Sequence, residues 1–201
     1  MRLHCSSTWG RTWRAPPSRE LDGFAENEHW CLRLAALAGL PVADSTVQFF
    51  EDEPAFVVER FDRVHEKSKV LRVPAEDLCQ ALGVHPDRKY QNRGGPTPAD
   101  ILQTLARESA RPSEDCQTFF DALVFNWLIG GTDAHAKNYT LLHESGGRVR
   151  LAPLYDIASS LPYFDPKTLK LAMKIGSHYD IKAINAGDLG QGRCDSNFIA
   201  P

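Results

Sequence analysis

The feature that most constrains this chain is the segment from Thr132 to Asn138, which reads Thr-Asp-Ala-His-Ala-Lys-Asn. It places a carboxylate at Asp133 and an amide five residues later at Asn138. A second carboxylate, Asp156, follows two apolar stretches that flank Ser-Gly-Gly, a signal for a β-hairpin. The loop with Asp133 and the loop with Asp156 therefore bracket one predicted hairpin.

These three side chains are the groups that phosphoryl transfer from Mg-ATP requires. One carboxylate orients the acceptor hydroxyl, and two further oxygen ligands hold the metal. The spacing Asp-x-x-x-x-Asn equals that of the protein-kinase catalytic loop, in which a downstream Asp completes the set. Asp133 is the predicted catalytic base, and Asn138 and Asp156 are the predicted metal ligands. Taken singly, each has an ordinary explanation as a helix cap or a turn residue, but such explanations do not predict all three together.

Neighbouring residues extend this prediction, with alternatives that the sequence leaves open. Lys137 either contacts the transferring phosphate or is an ordinary surface lysine. His135 has no second ligand at metal-binding spacing, so we expect it to support the loop by hydrogen bonding or to lie near the phosphates rather than to bind zinc. Glu59, Arg60 and Phe61 end a predicted strand; they form either the hinge that reads adenine in a two-lobed kinase or a simple strand end.

Composition excludes several other classes of protein. The formal net charge of -3 gives no global attraction to nucleic acid, and no apolar run is long enough to span a bilayer. The N-terminus has no apolar signal-peptide core, and the five cysteines are scattered without a C-x-x-C pair. Reduced thiols and a cytoplasmic location are therefore expected. No G-x-x-x-x-G-K-[ST] occurs, which excludes a P-loop NTPase.

Hydrophobic periodicity predicts a small strand-containing segment followed by a mostly helical lobe. Helices are predicted over 26–38, 74–82, 98–107 and 113–129, and strands over 46–50, 55–61, 139–143 and 148–152, with a further apolar stretch over 169–175. The charged segment 62–69 and the polar segment 85–98 are predicted to be loops, and 1–22 is predicted to be irregular.

Segments spread along the chain resemble one family. They include 26–28, 40–42, 58–63, 76–83, 89–90 with 94–96, 127–138, 151–157 and 171–174. Together they are similar to the HipA family of serine/threonine kinases, the toxins of type II toxin–antitoxin pairs. The similarity is continuous from about Pro16 to Ile184 and is far more specific than the Asp-x-x-x-x-Asn spacing.

The resemblance implies an α+β, mainly helical fold: a protein-kinase-like C-lobe with a remnant of the N-lobe. Residues 1–61 would form a partial N-lobe, 62–186 the catalytic lobe and 187–201 an irregular tail. It also implies that Mg²⁺ and ATP are bound and that a phosphoryl group is transferred to a Ser or Thr of a protein. In some members that protein is an aminoacyl-tRNA synthetase. By position, Asp133 is the proton acceptor; the nucleotide site comprises Glu59, Arg60, Phe61, His135, Lys137, Asn138, Tyr155 and Asp156.

Members of this family usually pair with a small HipB-like helix-turn-helix antitoxin, so contact with DNA is expected only through that partner. The chain departs from the family pattern at its ends. The family's Ser-containing phosphate loop is absent, Ala15 and Arg14 stand where a nucleotide lysine is expected before Pro16-Pro17, and the similarity fades after Asn185. We therefore expect a piece truncated at both ends. It would be an impaired kinase or, alternatively, an inactive fragment that only binds an antitoxin or substrate protein; a small-molecule phosphotransferase is a third hypothesis.

Overall fold

A computed structural model describes residues 22–190 except 52 and 68. These residues form five α-helices, three short 3₁₀ helices and nine short strands. The helices are α1 (Phe24–Leu37), α2 (Leu78–Ala81), α3 (Pro98–Glu108), α4 (Pro112–Ile129) and α5 (Ala186–Gly190). The strands are β1 (Ser45–Phe50), β2 (Glu53–Val58), β3 (Arg63–Glu66), β4 (Lys69–Arg72), β5 (Ala75–Asp77), β6 (Thr140–Glu144), β7 (Arg148–Leu151), β8 (Lys170–Ile175) and β9 (His178–Asp180). The mainly helical character expected from the sequence is not confirmed.

The strands form four small antiparallel sheets. β1 pairs with β2, β3 with β4, and β8 with β9, while β6 lies between β5 and β7 in a three-stranded sheet. The β6–β7 hairpin is the one predicted from Ser-Gly-Gly, and it separates the two acidic loops as expected. No helix in the described residues reaches the length and apolarity that crossing a bilayer demands.

The core is built around α4, which contributes the fully buried Phe119. α1, α2, α3 and β8 pack their apolar residues into the same cluster. Its large, fully buried side chains on these elements include Leu32, Leu78, Ile101, Leu105 and Met173. Phe119 meets the ring of Tyr139 edge to face, with 4.8 Å between ring centroids. Tyr139 directly follows residues 132–138, called the acidic loop below. The contact between Tyr139 and Phe119 therefore holds this loop against the core.

A buried ion pair joins the beginning of α4 to the β6–β7 hairpin. The Asp115 side chain is almost fully buried and accepts hydrogen bonds from Arg150 Nη2 at 2.9 Å, Ser109 Oγ at 2.6 Å and the Leu151 backbone N–H at 2.9 Å. A buried carboxylate is tolerated when its lone pairs are satisfied in this way. The contact fixes the hairpin, and so both acidic loops, relative to α4.

Four local predictions differ from the structure. The charged segment 62–69 was predicted to be a loop, but it enters the exposed β3–β4 hairpin, because solvated strands and solvated loops share a charged composition. The predicted helix 74–82 begins instead as β5, which pairs with β6, and only then becomes α2. The strand predicted over 55–61 ends at Val58. The irregular tail predicted from 187 includes the end of α5. Predictions for 1–21, including Arg14 and Ala15, lie outside the described residues.

Candidate active site

Two glycines end α4 and present Asp133 beyond it. Gly130 has φ 64°, a left-handed conformation that stops the helix without steric cost. A Cβ on Gly131 would lie 2.3 Å from Asn126 Oδ1, so a larger residue there would have to displace the buried Asn126 side chain. The Gly131 N–H donates to the Asn126 carbonyl at 2.7 Å. The sharp turn leaves the Asp133 side chain 67% exposed.

Asp133 caps no helix in the described residues. The following 3₁₀ turn, Ala136–Asn138, is preceded by His135, and no side chain caps it. Instead, the Asp133 carboxylate accepts a hydrogen bond from the Tyr90 hydroxyl. The Asn138 side-chain N–H₂ donates to the Asp133 carbonyl at 3.0 Å, which closes the loop. Because its nitrogen is committed in this way, the Asn138 amide offers its oxygen to a cation.

Asp156 reaches the same region from the chain that follows β7. Leu154 forms a parallel bridge with Val42, and its N–H donates to the Pro41 carbonyl at 2.8 Å, which anchors the approach to Asp156. Asp156 itself has φ 57°, a conformation rare for a residue other than glycine and a sign of local constraint. It lines one small cavity with Asn138 and another with Asp133. The structure therefore brings the three predicted residues together.

The electrostatics of this cleft favour binding of a cation. Desolvation and the nearby charge of Asp133 raise the pKa of Asp156, although Lys89 acts in the opposite direction. The described residues contain no group of three or more His, Cys, Asp or Glu that could hold a metal alone. Two oxygen donors, from Asn138 and Asp156, fit Mg²⁺, which usually keeps water and takes its other ligands from substrate phosphates. The residues present thus fit a metal that arrives with a nucleotide.

His135 lies beneath the acidic loop. Its side chain is almost fully buried, and its Nδ1 has no hydrogen-bond partner within the described residues. Its Nε2 is 3.8 Å from Asp133 Oδ2, and burial is the main cause of its lowered pKa. The imidazole is therefore favoured in its neutral form, packed beneath Asp133.

The predicted hinge lines a larger cavity of about 740 Å³. Glu59, Arg60 and Phe61 form part of its wall, together with Lys137 and Tyr155. The rings of Phe61 and Tyr155 lie 5.3 Å apart. This volume is within the range of roughly 300–1,000 Å³ typical of small-molecule sites. The sequence-predicted residues thus fall into two adjoining groups, one acidic cleft and one cavity lined by the hinge.

Lys137 points into this larger cavity. Its Nζ lies 2.6 Å from Asp77 Oδ2, and its side chain is one-third exposed. Asp77 is also the N-cap of α2, where its side chain accepts from the Gln80 N–H. The Tyr155 hydroxyl donates to the Lys137 carbonyl at 3.0 Å. Lys137 therefore links the acidic loop to α2. The sequence had suggested either a contact with the transferring phosphate or an ordinary surface lysine, and neither alternative included this ion pair.

Sequence reasoning missed three residues of the site. Glu28 on α1 is buried, and desolvation followed by the charge of Asp156 raises its pKa to about 8. Asn27 exchanges two 2.9 Å hydrogen bonds with the backbone of Ser159, just beyond Asp156. Tyr90 contacts Asp133. The sequence does contain a signal for Glu28 and Asn27. They belong to a polar triplet, Glu-Asn-Glu, within a helix that otherwise packs apolar residues into the core.

Known proteins share both the sequence and the fold. The family model described as the HipA-like C-terminal domain matches residues 8–197. The protein Y4mE of Sinorhizobium fredii is 42% identical over 172 residues, which are 85% of this chain and 40% of that protein. The serine/threonine-protein kinase toxin HipA of Shewanella oneidensis is 34% identical over 176 residues, or 81% of this chain and 40% of the toxin.

Solved structures agree with this relationship. A Shewanella oneidensis complex of HipA, HipB and operator DNA matches with a TM-score of 0.77 and 30% identity over 89% of this chain and 43% of the matched chain. The Helicobacter pylori proinflammatory kinase CtkA matches with a TM-score of 0.51 and 17% identity over 70% of this chain and 47% of its own, a likeness of fold alone. The fold is therefore kinase-like. The chain spans 40% of the two curated relatives and belongs to the family defined by the HipA-like C-terminal domain.

Proposed function

We propose that this chain is the catalytic region of a HipA-like kinase, which transfers the γ-phosphoryl group of Mg-ATP to a Ser or Thr of a protein. The observation that carries the proposal is the convergence of Asp133, Asn138 and Asp156 beyond the end of α4. Membership of the HipA-like family and the kinase-like fold support it.

The exposed carboxylate of Asp133 suits it to the role of base. The acceptor oxygen forms a bond to the γ-phosphorus, the bond from that phosphorus to the β,γ-bridging oxygen breaks, and its electron pair leaves with ADP. The acceptor proton passes to Asp133. Asn138 and Asp156 would hold Mg²⁺, which neutralises negative charge on the phosphate oxygens when bound.

The adjoining cavity of about 740 Å³ is the proposed nucleotide site. Backbone groups of Glu59, Arg60 and Phe61 would read the edge of adenine there. Arg60 donates two hydrogen bonds to Asp62, at 2.8 and 2.7 Å, so its guanidinium is held at the end of the hinge. Lys137 is the cation in this wall that lies nearest in sequence to the metal ligands.

The proposed partners follow from the matched complex. The relative in that structure is bound to HipB and operator DNA. We infer that this protein acts as a toxin, pairs with a HipB-like helix-turn-helix antitoxin and meets DNA only through it. Its substrate would be a cytoplasmic protein, for which an aminoacyl-tRNA synthetase is the candidate that the family suggests.

A thermal-shift titration with Mg-ATP tests the nucleotide site directly. Ligand at about 100 times its dissociation constant should stabilise the chain by about 2.7 kcal/mol. Asp156→Asn should remove the magnesium-dependent part of the shift, and Asn is suited to the left-handed backbone of this position. Asp121→Asn, an exposed position on α4, is the matched control and should leave the shift unchanged.

The outcomes separate a working nucleotide site from a binding module. A magnesium-dependent shift that is lost in Asp156→Asn alone supports the proposal, and phosphorylation of a protein substrate completes it. No shift with Mg-ATP, in a chain that unfolds cooperatively, would contradict it and leave the role of an inactive binding fragment.

A further inference from the structure

Tyr90 makes a contact with Asp133 that the proposed function does not use. Its hydroxyl donates a hydrogen bond to Asp133 Oδ1, although the two residues lie 43 positions apart in the chain. Tyr90 lies between two short 3₁₀ turns, Pro86–Arg88 and Gln91–Arg93. The residue therefore reaches the acidic loop from a separate, compact segment.

The backbone around Tyr90 is tightly fixed. The Tyr90 carbonyl accepts hydrogen bonds from the N–H groups of Arg93 and Gly95, both at 3.0 Å. A Cβ on Gly95 would lie 2.1 Å from the Arg88 carbonyl oxygen and 2.7 Å from the Tyr90 carbonyl oxygen. Only glycine fits such a space, so the turn that presents Tyr90 is a specific feature of the sequence.

The Tyr90 ring is also held against the acidic loop. It packs edge to face on His135, with 5.1 Å between ring centroids. Lys89 and Arg93 place their cationic groups 5.0 and 5.4 Å from the ring centroid. The Lys89 carbonyl accepts from the Ala136 N–H at 3.4 Å, which joins the two loops at a further point. The phenol is thus part of a fixed structure beneath and beside Asp133.

We propose that Tyr90 is a positioning residue for the catalytic base: by holding Oδ1 of Asp133, it directs Oδ2 toward the acceptor hydroxyl. This inference rests on the proposed function. Within the described residues Oδ2 has no hydrogen bond, and its distance of 3.8 Å to His135 Nε2 is beyond hydrogen-bonding range. The two oxygens of one carboxylate therefore have separate tasks.

The protonation state of Tyr90 agrees with this role. Burial, followed by the hydrogen bond to Asp133, raises the pKa of Tyr90 to about 12. The phenol consequently keeps its proton at neutral pH and remains the donor. A hydroxyl in this place could alternatively imitate the acceptor and block it. Two other contacts join the Tyr90 segment to the acidic loop, one with the His135 ring and one with the Ala136 N–H. They favour positioning, since a blocking group has to leave.

Tyr90→Phe tests the role with the smallest change, because it keeps the ring against His135 and removes only the hydroxyl. We expect kcat for phosphoryl transfer to fall by about 10- to 100-fold, as a misplaced catalytic group costs. KM for Mg-ATP should stay within about twofold, because the hinge cavity is unchanged. Tyr179→Phe is the matched control; its ring contacts Lys174 at 5.1 Å, outside the site.

A measurement that needs no turnover accompanies the kinetics. Hydrogen–deuterium exchange of the backbone over 133–138 should become several-fold faster in Tyr90→Phe, since the loop loses an attachment. Tyr179→Phe should leave that segment unchanged. A kcat that is unaltered or raised in Tyr90→Phe would overturn the inference, and a raised value would identify the hydroxyl as a block.

The same experiments separate the inference from the proposed function. If neither the original chain nor Tyr90→Phe transfers phosphate, the proposed function fails and exchange alone decides whether Tyr90 holds the loop. Faster exchange confined to Tyr90→Phe then supports the attachment, and unchanged exchange overturns it.

Discussion

The two ends of α4 hold carboxylates in opposite circumstances. At the beginning, Asp115 is buried, and Arg150, Ser109 and a backbone N–H satisfy it. Beyond the end, Asp133 and Asp156 share a cleft, and the charge of Asp133 contributes to the raised pKa of Asp156. One helix thus joins a fully paired acid to a pair of acids that repel each other.

The difference separates structural from functional acids. A carboxylate that stabilises the fold has all its partners within the chain, so removing it leaves those partners unpaired. Carboxylates that bind a cation must keep unsatisfied oxygens until the cation arrives, and they lower the stability of the empty site. Substitutions at the two ends should therefore have effects on different quantities.

The largest effect is expected at the cleft, on rate. Asp133→Asn keeps the shape of the side chain and its capacity to accept from Tyr90, but it removes the base. Loss of general-base assistance should lower kcat by about 10²- to 10⁴-fold. Steady-state kinetics of protein phosphorylation would measure this, with Asp121→Asn as the control. The free energy of unfolding should be kept or slightly raised, because the change removes the repulsion between Asp133 and Asp156. A variant that kept its activity would contradict the assigned role.

The next effect is expected at the opposite end of α4, on stability. Asp115→Asn places an N–H₂ group where donors from Arg150, Ser109 and the Leu151 backbone converge, so a buried donor loses its acceptor. This loss should lower the free energy of unfolding by about 1–3 kcal/mol, while Arg150 keeps its pair with Glu114. Urea denaturation would measure the loss. Arg148→Ala, which breaks an exposed pair with Glu144, should cost about 0–1 kcal/mol. Equal losses in the two variants would show that the Asp115 cluster is no anchor.

The same comparison explains what the sequence could predict. The long helices and the β6–β7 hairpin follow from local periodicity and turn residues, and the Asp133, Asn138 and Asp156 set follows from spacing. The prediction of a helix over 74–82 was wrong for its first residues. Ala75–Asp77 pair with β6 instead, and this tertiary contact cannot be inferred from local composition. In these three residues, strand pairing outweighs the helical pattern of the sequence.

The missed site residues come from contacts across long stretches of chain. Tyr90 meets Asp133 only because the Gly95 turn is tight, and Glu28 nears Asp156 only after α1 packs against the core. Spacing rules describe neighbours in sequence, so they find the acidic loop and miss what surrounds it. Lys137 shows the same limit, since its partner Asp77 is 60 positions away.

The pH dependence of stability tests whether the buried Glu28, near Asp156, differs from the paired Asp115. The pKa of Glu28 in the folded, magnesium-free chain is raised to about 8, whereas an ordinary glutamate carboxyl has a pKa of 4.5. Between these values the folded state binds more protons, so this group makes unfolding easier as pH rises. Glu28→Gln should remove that component.

The expected size follows from the free energy of one pKa unit. The stability of Glu28→Gln relative to the original chain should rise by about 2–3 kcal/mol between about pH 5 and pH 7, at roughly 1.4 kcal/mol per unit. Denaturant unfolding at several pH values would measure it, and Glu108→Gln, an exposed position, is the control. A difference independent of pH would mean that Glu28 is as well satisfied as Asp115.

The smallest effect is expected at Lys137, which lies between the two kinds of acid. Its ammonium pairs with Asp77, a structural cap, while lining the proposed nucleotide cavity. Lys137→Met should raise the dissociation constant of Mg-ATP by about 3- to 10-fold, or up to about 1.4 kcal/mol, and change kcat little. Calorimetric titration would measure the affinity, with the exposed Lys182→Met as the control.

Each departure from this result has a definite meaning. A fall in kcat of about 10²- to 10³-fold would place the ammonium on the transferring phosphate rather than on Asp77, because such groups act mainly in the transition state. No change in either affinity or kcat would make Lys137 a surface lysine that only joins the acidic loop to α2. The pairing with Asp77 predicts the intermediate outcome, since a cation already engaged by a structural acid has less attraction left for a phosphate.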